Sequence, residues 1–98
     1  MNKVIILRED NLEDYMDEDH LIVAFTTNGC GACKSIIPTL YQIDDGFKVV
    51  VVNSDIHMKS NTFFPNIPSF YPTLAYFKEG KFIKTFSRED IKNKNLWN

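Results

Sequence analysis

The sequence predicts an α/β fold, a central mixed sheet of about five strands flanked by helices on both faces. Three observations predict it. Two continuous apolar runs, "LIVAF" (21–25) and "KVVVVN" (48–53), have the pattern of strands buried on both faces. Between them, Ile36, Ile37, Leu40, Tyr41 and Ile43 recur at helical spacing from Gly31 to about Ile43. Later, "TLAYF" and "KFIKTF" flank "KEG", which reads as a hairpin. Strands joined by a helical crossover and strands joined by a tight turn together make a mixed sheet.

In chain order, "KVIIL" (3–7) opens as a short strand. "EDNLEDYMD" follows as a helix, with Leu12, Tyr15 and Met16 at helical spacing. "LIVAF" is the second strand, and "TTNG" turns out of it towards the cysteines. The helix from Gly31 ends at "DDG", where Gly46 is a candidate C-terminal cap. "KVVVVN" is the third strand, and the polar stretch from Ser54 to Thr62 has room for a short helix. The hairpin supplies the fourth and fifth strands around a three-residue turn containing Gly80. The tail "SREDIKNKNLWN" opens as a short helix with Ser87 as its N-cap. Helical crossovers between the first three strands suit parallel pairing, and a first strand can also enter at an edge. "CGAC" then falls where a central strand ends and a helix begins, the end of an open α/β sheet at which ligand sites gather.

Ninety-eight residues, 44% of them hydrophobic and including eight Phe, four Tyr and one Trp, make one globular domain over residues 1–98. The longest apolar runs fall far short of the ~20 residues that span a bilayer, so no membrane partner is expected. "MNKVIILRED" breaks its apolar stretch with charge at once, unlike a signal peptide. The expected compartment is the cytoplasm, where a structural disulfide is disfavoured. The net charge of -2 hides an asymmetry, because residues 9–20 hold seven of the thirteen acids and no Lys or Arg. That run reads as a solvated face rather than a dock for a basic partner. An acidic balance without a basic, aromatic-interleaved patch argues against nucleic acid.

Both cysteines lie in "NGCGACK" (28–34). A pair at that spacing can close a disulfide, share a metal, or stay reduced and inert. Zinc needs four ligands, and the two histidines, His20 and His57, lack paired spacing and read as surface residues. No metal or cofactor is expected.

With "CGACK", Pro38 five residues after Cys33, and "YPTLAYFKEGK" later in the chain, the sequence resembles the thioredoxin family. That family's pattern is "CGPCK", a helix-kinking proline and a "PTL…F..G" segment containing a cis-proline. The likeness runs from about Lys3 to Phe86. It implies a thioredoxin fold and a protein disulfide reductase, an electron carrier working by dithiol–disulfide exchange. By resemblance, Cys30 is the attacking nucleophile, Cys33 is the resolving thiol, and the two form the redox-active disulfide. A helix N-terminus, with its unpaired N–H groups and dipole, lowers a thiol pKa from about 8.5 towards 7 or below. Cys33, one turn later, lies on the same side of the helix. Pro38 removes the bond to the Lys34 carbonyl and bends the helix. Gly29, Gly31, Ala32, Tyr71 and Pro72 are the implied substrate-binding residues. With the Tyr71–Pro72 bond cis, the Tyr71 backbone would pair with an extended substrate segment. The implied partners are disulfide-containing proteins, and a thioredoxin-type reductase or glutathione as electron source, with the chain a monomer.

The departures from the family pattern also carry expectations. Gly29 stands where thioredoxins usually have Trp, and Thr26 where they usually have another, leaving Cys30 more exposed and its loop looser. The family's buried Asp, which assists proton transfer at the second cysteine, falls at Ala24, and its Lys partner falls near Val51. Both are gone together, so no buried charge is stranded. Gly31-Ala32 replaces Gly-Pro, and alanine starts the helix less rigidly. In the longer segment before Pro72, Phe63, Phe64, Phe70 and Tyr71 divide between core and substrate groove, with core the default for each. Trp97 is expected to pack back onto the sheet. These changes point to a reductant somewhat less reducing than thioredoxin at about −270 mV. Two other readings stay open. One is a redox-inactive, partner-binding module on the same fold. The other is a glutaredoxin-like electron donor, against which stand the Gly-Ala dipeptide and the lack of a glycine pair after Pro72.

Overall fold

Alternation of side chains along β-rich runs sets the sheet and divides its two cores. The computed structural model describes residues 2–63 and 71–86. Its strands are β1 (Val4–Ile6), β2 (Leu21–Thr26), β3 (Lys48–Asn53), β4 (Thr73–Lys78) and β5 (Lys81–Phe86). They lie in the order β1-β3-β2-β4-β5. β3 pairs parallel with β1 and β2, while β4 runs antiparallel to β2 and β5. The sheet is therefore mixed, as expected, with the two continuous apolar runs at its centre.

From one face, Ile22, Ala24, Val49, Val51 and Leu74 pack on Ile36 and Leu40 of helix α1 (Gly31–Leu40) and on Ile43. From the other, Leu21, Val23, Phe25, Val50, Val52 and Phe77 pack on Leu12, with Tyr15, Met16 and Phe63 partly buried against them. Leu12 and Phe63 belong to two short 3₁₀ helices, Leu12–Tyr15 and Met58–Phe63. Helical segments thus cover both faces. Each Val, Leu, Ile or Phe side chain fully buried there is worth about 1.5–3 kcal/mol, and two-sided burial is why β2 and β3 read as unbroken apolar runs.

Four local expectations are corrected. The helix expected in "EDNLEDYMD" is only the four-residue 3₁₀ helix Leu12–Tyr15. Like charges recur there at i,i+4, as in Asp10/Asp14 and Glu13/Asp17, and such pairs oppose an α-helix. Helix α1 stops at Leu40 rather than near Ile43. The amides of Gln42 and Ile43 bond back to Thr39 and Leu40 in a tighter turn, which still delivers Ile43 to the core. Gly46 is therefore not the helix cap, and its N–H donates to Asp44 Oδ1 at 2.8 Å. The hairpin turn has two residues, Glu79 (φ 52°) and Gly80 (φ 82°), with Lys78 paired to Lys81. Positive φ at both positions matches the twist of the strands. A Cβ at Gly80 would lie 3.3 Å from the Met16 carbonyl oxygen, so the tip of the hairpin sits close to the Leu12–Tyr15 segment. The expected tail helix with its Ser87 cap, Trp97, Phe64 and Phe70 all lie outside the described residues. Among the described residues no helix is long and apolar enough to cross a membrane.

Candidate active site

β2 ends at Thr26, and the next four residues carry the chain to the start of α1. Cys30 is the N-cap of that helix, with extended backbone (φ −85°, ψ 102°). Its Sγ accepts a hydrogen bond from the Cys33 N–H at 3.1 Å. A helix start leaves its first N–H groups without backbone partners, and here a sulfur takes one of them, the role a Ser or Asp oxygen usually fills. Cys30 and Cys33 form a disulfide, with their Cα atoms 5.2 Å apart. Cys33 is 4% exposed, whereas Cys30 is half-buried and Gly29, Gly31 and Ala32 are exposed. Gly29 has φ +72° with nothing near a would-be Cβ. Its glycine therefore answers a backbone demand rather than a crowded site. Pro38 lies inside α1 at an exposed position, where the loss of one helical bond leaves a carbonyl that water can reach.

The loop before Cys30 is clasped to the segment after β3. Asp55 accepts from the Asn28 N–H at 2.9 Å, and Asn53 Nδ2 donates to Asn28 Oδ1 at 2.8 Å. Asn53 Oδ1 in turn accepts from the Asp55 N–H at 2.9 Å. The Thr26 carbonyl accepts from the Ser54 N–H, and the Thr26 hydroxyl donates to the Val52 carbonyl. This loop is tied by polar groups on the strand next door, although no bulky aromatic covers it at positions 26 or 29. Nothing local in the sequence marks Asn28, Asn53 and Asp55, because their partners lie about 25 residues away.

Ala24 and Val51 are register partners on β2 and β3, 0% and 5% exposed, in the same core cluster. Ala24 and Val51 are thus apolar neighbours beneath the helix. Beside the disulfide, on the β1–β3 side, lies a cleft of about 190 Å³. Cys30, Cys33, Ile6, Ile37, Val51 and Lys34 are among the residues that line it.

The Tyr71–Pro72 peptide bond is cis. Thr73, the next residue, pairs with Phe25 near the end of β2, so the bond lies at the end of the sheet from which the cysteine loop departs. Tyr71 packs partly against the Leu12–Phe25–Phe77 core, as does Phe63.

The histidine reading needs correction. His57, expected at the surface, is 6% exposed, and its Nε2–H donates to the Leu7 carbonyl at 3.0 Å. His20 is half-buried, with Nδ1 2.6 Å from the Tyr76 hydroxyl. Each is held by a partner far along the chain, 50 and 56 residues distant. Among the described residues no three His, Cys, Asp or Glu side chains gather in a metal-holding group. Part of the acidic run has a structural task. Asp10 accepts from the amides of Lys59 and Ser60 and from the Ser60 hydroxyl. Burial raises the Asp10 pKa, but those bonds and nearby His57 outweigh it, and the net effect is a lowered pKa.

Comparison with known proteins places this geometry in context. A family model described as thioredoxin matches residues 3–97. Among solved structures, thioredoxin NaTrxh from Nicotiana alata is 19% identical with a TM-score of 0.81, over 97% of this chain and 91% of that one. Schistosoma mansoni thioredoxin is 24% identical with a TM-score of 0.78, over 96% and 95%. Thioredoxin O2 from Arabidopsis thaliana, in its oxidized state, is 19% identical with a TM-score of 0.74, over 97% and 95%. At these identities the structural likeness is one of fold.

Proposed function

This chain belongs to the thioredoxin family, and we propose that it works as a protein disulfide reductase through Cys30 and Cys33. The observation that carries the reading is Cys30 at the N-cap of α1, its sulfur accepting the Cys33 N–H and bonded to a nearly buried Cys33. In the reduced protein the same N–H and the helix dipole stabilise a Cys30 thiolate. That thiolate attacks one sulfur of a substrate disulfide. The Cys30–substrate S–S bond forms as the substrate S–S bond breaks, and the departing thiolate takes up a proton. Cys33, one helical turn away, then attacks the Cys30 sulfur. The Cys30–Cys33 bond forms and the second substrate sulfur leaves as a thiol. Two electrons and two protons have passed to the substrate. A thioredoxin-type reductase or glutathione returns two electrons to the protein.

With Ala24 and Val51 apolar, no carboxylate at position 24 serves as proton relay at Cys33, and the pH profile of reduction follows the thiols themselves. Gly29, Gly31, Ala32, Tyr71 and Pro72 form the substrate contact, the exposed backbone on either side of the cysteines offering N–H and C=O groups to an extended segment. The protein acts as a monomeric cytoplasmic domain over residues 1–98. The test is trapping. Cys33→Ser should accumulate long-lived mixed disulfides with disulfide-bearing proteins on a non-reducing gel, and Cys30→Ser should capture few. If neither variant traps a partner and the parent reduces no disulfide, the chain is a binding module instead.

A further inference from the structure

We propose that the cleft beside the disulfide is a subsite for a large apolar side chain next to the reacting cysteine of a protein substrate. The inference rests on the reading of the chain as a disulfide reductase and names the substrates it favours. Cys30 and Cys33 form part of the cleft lining, so the cleft adjoins the residue that a substrate would join. Ile6, Ile37 and Val51 make that wall apolar. At about 190 Å³ the space takes a leucine or phenylalanine side chain, since an apolar cavity of about 150 Å³ takes benzene. Ile6 is 56% exposed at the edge strand, and an occupant would cover it.

The location differs from that of Tyr71 and Pro72. In the order β1-β3-β2-β4-β5, β1 and β3 lie on one side of β2, and Pro72 leads into β4 on the other. A substrate backbone along Tyr71 thus leaves this cleft free for a side chain. Charge narrows the choice. Lys34 is the one Lys, Arg, Asp, Glu or His among the described residues lining the cleft, so a cationic neighbour of the substrate cysteine is repelled. The preferred order is leucine or phenylalanine, then glycine, then lysine.

The test uses short peptides with one cysteine joined to 5-thio-2-nitrobenzoate and with Leu, Gly or Lys beside that cysteine. Stoichiometric reduced protein is added and release of the coloured thiol is timed. In parallel, methyl resonances of the oxidised parent are followed during titration with the S-methylated leucine peptide. The leucine peptide should react about tenfold faster than the glycine peptide, a difference of about 1.4 kcal/mol, and the lysine peptide should react slowest. In Ile6→Ser the leucine-to-glycine ratio should fall to about one, and the parent's methyl shifts should centre on Ile6, Ile37 and Val51. Release of the coloured thiol with no side-chain preference, and shifts away from these three residues, would overturn the subsite and leave the reductase reading standing. Shifts at the cleft without release of the coloured thiol would keep the binding site and refute the reductase. Neither release nor shifts would refute both. If Ile6→Ser does not fold, the parent's rate order and shifts still decide.

Discussion

Replacing Ala24 by aspartate should destabilise this protein in a strongly pH-dependent way. Ala24 has no exposed surface and lies between Val51 on β3 and Leu74 on β4, beneath Ile36 and Leu40. These neighbours are all apolar. A carboxyl there must lose its hydration or its charge, and fully buried acids show pKa values raised by about 3–5 units. A rise of about 3 units from the ordinary value near 3.9, at about 1.36 kcal/mol per unit, costs about 4 kcal/mol at pH 7. That is a large part of the roughly 5–15 kcal/mol of a typical domain. The sign follows from proton binding. Between about pH 4 and 7 the folded state holds a proton that the unfolded state has released, so stability falls as pH rises. Urea denaturation of parent and Ala24→Asp should show a small gap at pH 4 and the full gap at pH 7. Adding Val51→Lys, its register partner, should restore about 1 kcal/mol or more at pH 7. A neutral Ala24→Asp at pH 7 would mean the position is not buried as described. An equal loss at both pH values would assign the effect to crowding rather than charge.

Three other predictions concern the surroundings of the cysteines. Limiting iodoacetamide on the reduced protein should label Cys30 well before Cys33, and preferential label at Cys33 would reverse their roles. Asp55→Ala should cost about 1 kcal/mol or less, since its bond is exposed, and should speed hydrogen exchange at the Asn28 amide; an unchanged rate would show that the clasp does not hold the loop. Asp10→Ala should lower stability at pH 7. Because the folded pKa of Asp10 is depressed below its ordinary 3.8, its contribution is present above that value and lost as pH falls through the lower folded value. The gap between thermal melts of parent and variant should therefore shrink as pH is lowered below 3.8, and a gap that stays constant would contradict this.

Much of the fold was legible because burial on two faces writes itself as unbroken runs. "LIVAF" and "KVVVVN" needed no partner to be read as central strands, and the spacing of Ile36 and Leu40 placed the cysteines at a helix start. What the sequence hid was non-local. His57 looked like a surface residue because its acceptor, the Leu7 carbonyl, lies 50 residues away. The Asn28–Asn53–Asp55 clasp was invisible for the same reason. The hairpin was read, but its turn was not, since glutamate at φ 52° goes against residue preference and is imposed by strand twist. The acidic segment carried a helical spacing of apolar residues, yet its like charges left only a 3₁₀ helix. The cleft is formed by residues from β1, β2, β3 and α1, so no single stretch could announce it.

The central claim is that Cys30 and Cys33 together turn over protein disulfides, and reduction of insulin measures it most directly. With dithiothreitol as electron source, catalytic amounts of the parent should speed insulin precipitation well above the uncatalysed rate, and Cys30→Ser should return it to background. A parent no faster than dithiothreitol alone, or a Cys30→Ser variant as fast as the parent, would contradict the account.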